Sequence, residues 1–354
     1  MPVSKYCKPA FLSDLNLIRF SIMKKHLFVL SLLIYSTLCF AQTNAVQPYG
    51  INLENVQYPF TVHYINLTIQ GEALKMAYMD VQSEKPNGKT VMLLHGKNFN
   101  GAYWEQTTKD LIKNGYRVVI PDQIGFGKSS KPNHIQYTFQ LLAQNTKALL
   151  DSLGIHYIYL LGHSMGGMVA TRFTLMYPEV VQKLILENPI GLEDWKTQVP
   201  YQSVDEWYQA ELKLDFEKIK NYQLVYYYDN KWKPEYDQWV NLLAGCTTNI
   251  DYPKIAWNSA LMYDMIFTQP VCYEFGNIQA PTLLIIGQRD RTAIAKNKAS
   301  EAVRNSLGNY PVLGRLTAKK IKNAQLIELD NVGHLPHIEA YERFINPLLA
   351  FLKQ

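Results

Sequence analysis

At 354 residues the chain exceeds one average domain but suits a single α/β domain carrying an insertion. Apolar residues make up 47% and charged residues only 18%, enough to bury a sizeable core, which excludes an intrinsically disordered protein. The formal charge of +5 is local: residues 1–41 carry five of the 35 basic side chains (Lys5, Lys8, Arg19, Lys24, Lys25) and one of the 30 acids, Asp14, and the remaining 30 and 29 nearly cancel, so nothing recommends a nucleic-acid partner.

Taken in chain order, the first feature is Met23-Lys24-Lys25-His26, a basic start to the 14-residue apolar run Leu27–Phe40. Ala41, with the small Cys39 two residues before it, fits the cleavage site of a secretory signal peptide. The run is shorter than the ~20 residues that span a bilayer, so export is expected rather than a stable membrane anchor. The leader is read as residues 1–41, with Met23 as the true start and cleavage after Ala41. The mature chain then contains two cysteines, Cys246 and Cys272; a disulfide and two free thiols are both compatible with export.

Residues 59–70 and 73–82 are rich in β-branched and aromatic side chains and flank Gly71-Glu72, the pattern of a hairpin. After them short apolar runs alternate with helical spacing. Strands are expected at Thr90–Leu94, Tyr116–Ile120, Tyr157–Leu161 and Lys183–Glu187, and helices at 102–114, 138–153 and Met165–Tyr177. From Pro189 to Ile278 the alternation stops, and five of the six tryptophans and ten tyrosines gather there. Strand patterns resume at Pro281–Gly287 and Leu326–Leu329, before a final helix from Tyr341 to Leu352. This divides the mature chain into a first core part, 42–188, an aromatic-rich and mainly helical cap, 189–278, and a second core part, 279–354. The sheet is expected to be mostly parallel, with helices on both faces.

Chemistry concentrates where a strand meets a helix. Gly162-His163-Ser164-Met165-Gly166 is a G-x-S-x-G in the strand–turn–helix context that such a motif requires. The glycines let the backbone close, and the serine sits at a helix N-terminus, where unpaired N–H groups favour negative charge. A serine hydroxyl needs a base, and the base an orienting acid. Asp290 follows the strand Pro281–Gly287, and His334 follows the last strand, so the chain order Ser, Asp, His is that of one hydrolase architecture. Met165 and the Lys97 main chain, in the loop His95-Gly96-Lys97-Asn98-Phe99, are the expected oxyanion donors. His337, His163, Glu193 and Asp194 are rival candidates, and Arg289 and Arg291 read as solvated charges. Asp122 to Ser129 reads as a structural turn near the pocket, since its spacing fits no phosphate-binding loop.

These motifs together resemble the α/β-hydrolase superfamily over roughly residues 55–354. The resemblance rests on His95-Gly96, Pro121-Asp122-x-x-Gly-Phe-Gly-x-Ser, Gly162-His163-Ser164-Met165-Gly166-Gly167, Gly287-x-x-Asp290 and Gly333-His334-x-Pro336. The set is similar to a capped, serine-nucleophile branch that includes esterases, enol-lactonases, carbon–carbon bond hydrolases and cofactor-free haloperoxidases. It implies an α/β-hydrolase fold with the cap before the last two strands, a triad of Ser164, Asp290 and His334, and oxyanion donors at Lys97 and Met165. The expected activity is cleavage of a small or medium ester, lactone or related carbonyl compound, with no metal and no organic cofactor. A carbon–carbon bond hydrolase and a catalytically silent binding protein on the same scaffold are the alternatives. The cap's rings suggest an apolar or aromatic substrate, but they serve equally as the cap's own core. The stretch from Asn309 to Leu316 departs from the pattern.

Overall fold

The computed structural model describes residues 46–354; the signal peptide, Met23 and Ala41 lie outside the described residues. Residues 47–354 form one unit around an eight-stranded sheet. The strands are β1 (Val62–Ile69), β2 (Glu72–Val81), β3 (Thr90–Leu94), β4 (Arg117–Pro121), β5 (Ile158–His163), β6 (Val181–Glu187), β7 (Thr282–Gly287) and β8 (Ala324–Leu329). Their order across the sheet is β1-β2-β4-β3-β5-β6-β7-β8. The hairpin β1–β2 and the pair β2–β4 are antiparallel, and every later pair is parallel. A parallel strand is covered on both faces, which is why β3, β5 and β7 read as unbroken apolar runs and not as alternations.

The core helices are α1 (Glu105–Lys113), α2 (Phe139–Ser152) and α3 (Met165–Met176), each crossing between parallel strands. Thr138 caps α2 by accepting the Leu141 N–H, so this helix begins where the sequence places an N-cap. The stretch expected as a helix from 102 is split: Gly101–Trp104 is a 3-10 turn capped by Asn100, and α1 follows it. Between β6 and β7 stand the cap helices α4 (Val204–Glu211), α5 (Phe216–Tyr222), α6 (Asp237–Thr247) and α7 (Tyr252–Thr268). A π-helical turn, Gln223–Tyr227, continues α5. The segment between Asp290 and β8 is helical, as α8 (Glu301–Ser306) and α9 (Tyr310–Lys320), and α9 packs on β7 and β8. It supplies the crossover that two parallel neighbours require. The chain closes with α10 (Pro336–Glu339) and α11 (Tyr341–Lys353).

Two apolar clusters lie on the two faces of the sheet, one under α2, α3 and α7 and the other under α1 and α11. Rings of the cap stack on each other, with Trp207 on Tyr263 at 4.2 Å and Tyr228 on Tyr236 at 3.9 Å between centroids. Cys246 and Cys272 are both buried free thiols. No helix among the described residues is long and apolar enough to cross a membrane.

Asp122, at the carboxyl end of β4, organises the turn that follows. Its carboxylate accepts the Gly101 N–H at 2.7 Å, the Lys128 N–H at 2.7 Å and the Tyr58 hydroxyl at 2.7 Å. Burial and this carboxylate push the Tyr58 phenol well above its ordinary range, so it remains a donor. Asp122 is 2% exposed, and truncating it strands three donors inside the protein. Asp122→Ala is therefore expected to lower the unfolding free energy by about 3 kcal/mol, read as a shift of the urea midpoint at constant m-value.

Candidate active site

Ser164 occupies the apex of the turn between β5 and α3, with φ 56° and ψ −123°. A non-glycine residue adopts this region only when its surroundings hold it there. Here the Ser164 N–H donates to the Glu187 carbonyl at 3.2 Å, while its own carbonyl accepts the N–H groups of Gly167 and Ile190 at 2.9 and 3.2 Å. At Gly166 the close approach is severe: a Cβ would stand 2.3 Å from the Leu94 carbonyl oxygen. The glycine requirement seen in the motif is thus a contact between the turn and the end of β3.

His334 and Asp290 reach this apex from the loops after β8 and β7. The His334 Nε2 lies 3.0 Å from the Ser164 Oγ, and its Nδ1 lies 2.6 Å from the Asp290 Oδ2. Both His334 and Asp290 are fully buried, and Ser164 is 5% exposed. With Nδ1–H donated to the carboxylate, Nε2 is left to accept from the hydroxyl. Asp290 is itself held: the Thr292 N–H donates to Oδ1 at 2.8 Å and the Asn188 Nδ2 to Oδ2 at 2.7 Å. Asn188, at φ 35° just past β6, also accepts the Gly287 N–H at 2.9 Å and so ties β6 to β7 beneath the acid. Sequence reasoning missed this residue; its place between a strand and Pro189 is the signal it carried.

The Lys97 loop lies against the turn, since a Cβ on Gly96 would stand 3.0 Å from the Ser164 Cβ. Met165 is the first residue of α3, where the N–H has no intrahelical acceptor, and no hydrogen bond engages the Lys97 N–H among the described residues. The Lys97 side chain is a finding that the sequence did not signal. Its ammonium donates to the Ser259 Oγ at 2.6 Å and lies 3.5 Å from the Tyr263 ring centroid, both on α7. Burial lowers its pKa, against a smaller opposing pull from Glu211.

The cap enters the site through Tyr227, which closes the π-helical turn. Its carbonyl accepts the His334 N–H at 2.9 Å, and its ring stacks on the imidazole at 4.6 Å and 24°. Its hydroxyl accepts the Asn98 Nδ2 at 2.8 Å. One cap residue therefore touches both His334 and the loop that carries Lys97. A chamber of about 30 Å³ at Ser164 is bounded by Lys97, Asn98, Tyr222, Tyr227, Tyr263 and Ile190, among others. A larger cavity of about 380 Å³ shares Lys97, Asn98, Tyr222 and Tyr263 with it.

The rival candidates hold other positions. His337 stands in α10, where its N–H and Nδ1 bond the buried Glu187 carboxylate at 2.9 and 2.8 Å, stacked on Trp104. Glu193 accepts the Gly308 N–H, and Asp194 caps the 3-10 turn Trp195–Thr197. Arg289 is not a solvated charge: half-buried, it pairs with Glu339 and donates to the Tyr228 carbonyl at 2.9 Å. Arg291 is exposed and donates to the carbonyls of Gln288 and Asp290. Among the described residues no group of three or more His, Cys, Asp or Glu side chains is arranged to hold a metal ion.

His163 sits behind the serine in a fully assigned chain. The Gly96 N–H donates to the Tyr103 hydroxyl at 2.9 Å, that hydroxyl donates onward to His163 Nδ1 at 3.0 Å, and His163 Nε2–H donates to the His334 carbonyl at 2.8 Å. This arrangement requires a neutral imidazole. Burial, followed by the charges of His334 and His337, lowers the His163 pKa well below its ordinary 6.5, and burial lowers that of His95 as well.

The comparisons with known proteins follow this geometry. The model of the alpha/beta hydrolase fold family matches residues 89–341. The chain is 51% identical to a solved structure of a probable hydrolytic enzyme from Pseudomonas aeruginosa, covering 87% of this chain and 99% of that one with a TM-score of 0.86. It is 29% identical over 298 residues to a 2-hydroxy-6-oxononadienedioate/2-hydroxy-6-oxononatrienedioate hydrolase of Paraburkholderia phymatum, 83% of this chain and 96% of the relative. It is 26% identical over 318 residues to Lipase 1 of Psychrobacter immobilis, 87% and 92% of the two chains.

The depressed histidine pKa values have a thermodynamic consequence. Below the unfolded value of about 6.5 the unfolded chain binds protons that the folded chain refuses, so stability is complete above that pH and is lost as pH falls beneath it. Each such histidine contributes a slope of up to about 1.4 kcal/mol per pH unit. Urea midpoints between pH 7 and pH 5 are expected to fall in the wild type, and the fall should be shallower in His163→Gln by one histidine's share.

Proposed function

This chain belongs to the alpha/beta hydrolase fold family and is a hydrolase; on that premise we propose that it cleaves small or medium esters, lactones or related carbonyl compounds through Ser164, His334 and Asp290. The observation that carries this reading is the continuous hydrogen-bonded chain from the Ser164 hydroxyl through His334 to Asp290, buried beneath the cap. In the proposed reaction His334 Nε2 takes the serine proton as the Oγ attacks the carbonyl carbon. Asp290 holds the imidazole in the accepting tautomer and stabilises the imidazolium. The N–H groups of Lys97 and Met165 receive the oxyanion, where preorganised dipoles act in a site shielded from water. His334 returns its proton to the departing alcohol, and water then attacks the acyl-enzyme with His334 again as base.

Carbon–carbon bond hydrolysis is the second reading, supported by the likeness to the Paraburkholderia phymatum hydrolase over most of both chains. It uses the same residues, and turnover of an ester series with no turnover of a vinylogous diketone would count against it. Export is part of the proposal as well, supported by the basic and apolar pattern of residues 24–41; a secreted product should begin at Gln42 when its N-terminus is sequenced.

Ser164→Ala is expected to lower kcat on a p-nitrophenyl ester by several orders of magnitude with the thermal midpoint little changed, and to abolish labelling by a fluorophosphonate. Ester hydrolysis at an undiminished rate in that variant would remove Ser164 from the reaction.

A further inference from the structure

The chamber at Ser164, about 30 Å³, holds a reacting carbonyl and little else. The bulk of any ester must then lie in the cavity of about 380 Å³ that shares Lys97, Asn98, Tyr222 and Tyr263 with it. That cavity is walled largely by side chains such as Leu53, Phe126, Leu214, Ile219 and Met262, yet the Lys97 side chain also lines it. Among the described residues no carboxylate lies within 4.0 Å of the Lys97 ammonium, whose three donors meet one hydroxyl, Ser259, and one ring face. Charged groups in a largely apolar wall are ordinarily paired with an opposite charge, and an ammonium with no carboxylate in contact marks where a ligand's anionic end belongs.

We propose that this cavity binds the carboxylate of a substrate whose other end is the scissile carbonyl, with the Lys97 ammonium as the group that receives it. Lys97 then has two separate duties, its main-chain N–H at the oxyanion and its ammonium at the distal anion. The sign of the ligand follows from the wall. Glu211 is the one acid lining the cavity, against three ammonium groups: the half-buried Lys97 and Lys131, and the exposed Lys218, which pairs with Asp215. Lys131 is committed to the carbonyls of Gly127 and Ser129, and burial brings its pKa down to about 8, so at neutral pH it still adds positive charge. With Lys131 committed to carbonyls and Lys218 to Asp215, the Lys97 ammonium is left to meet a ligand anion, and one ammonium suits a singly charged carboxylate. The inference deepens the serine hydrolase reading and rests on it.

The test compares two substrates of equal length, mono-p-nitrophenyl adipate and p-nitrophenyl hexanoate, in the full-length mature protein. The wild type is expected to favour the carboxylate ester in kcat/KM by ~10-fold or more, the scale of a buried charge-assisted hydrogen bond. Lys97→Met should bring the ratio to one or below. Using the ratio within each variant cancels any loss common to both substrates. Ser259→Ala removes the link to α7 but not the ammonium, and should keep the preference; loss of preference there equal to that in Lys97→Met would make Lys97 a mere clasp and overturn the proposal. Hydrolysis of hexanoate with no preference for adipate in the wild type would overturn it too, leaving the hydrolase reading intact. Failure to hydrolyse either ester, together with absent fluorophosphonate labelling, would instead reject the hydrolase reading itself.

Discussion

Everything in this molecule is arranged around a backbone contact between the turn at Ser164 and the end of β3. A Cβ at Gly166 would stand 2.3 Å from the Leu94 carbonyl and one at Gly162 2.2 Å from the Gly166 carbonyl. With no side chains there, the turn closes tightly enough to hold Ser164 at a positive φ, and the hydroxyl is lifted clear of the sheet. The same closeness brings the loop after β3, with Lys97, beside the first N–H of α3. The Ser164 hydroxyl and the main chain of Lys97 and Met165 are thus brought together by one steric constraint.

His334 and Asp290 depend on the sheet in a different way. Parallel strands β7 and β8 end side by side, so the loops carrying Asp290 and His334 leave the sheet at neighbouring points. Asn188 at the end of β6 binds both the Gly287 N–H and Asp290, so three strand ends share the placement of Asp290. Behind them His163 links the oxyanion loop to the His334 carbonyl by way of Tyr103. Neutral, fully bonded and buried, this imidazole acts as a spacer and not as a titrating group in the neutral range.

The cap is bound into the site and not merely laid over it. Tyr227 accepts the His334 N–H, stacks on its ring and accepts from Asn98, while Lys97 reaches the other way to Ser259 and Tyr263. Tyr227 closes a π-helical turn, and such turns arise where a helix must place a group that ideal geometry would misdirect. The aromatic wealth of the cap is divided between its own stacks, Trp207 on Tyr263 and Tyr228 on Tyr236, and rings such as Tyr222 that line both cavities.

The strands, the crossover helices and the places of Ser164, Asp290 and His334 were legible in the sequence, because hydrophobic period, glycine spacing and strand ends are local signals. The buried partners were not. Arg289 read as a solvated charge because its half-buried place against Glu339 is made by residues 50 positions away. Asn188, Tyr227 and the Lys97 ammonium likewise acquire their roles only from groups distant in the chain. Helix α9 escaped notice because its Pro and Gly, Pro311 and Gly314, imitate a loop, while Gly314 serves to pack against Ile286. By itself, then, the amino-acid sequence determined the layered fold and which strand ends carry Ser164, Asp290 and His334. Tertiary structure alone decided which side chains support them and what charge the cavity presents, since burial and pairing belong to the packed chain and to no segment of it.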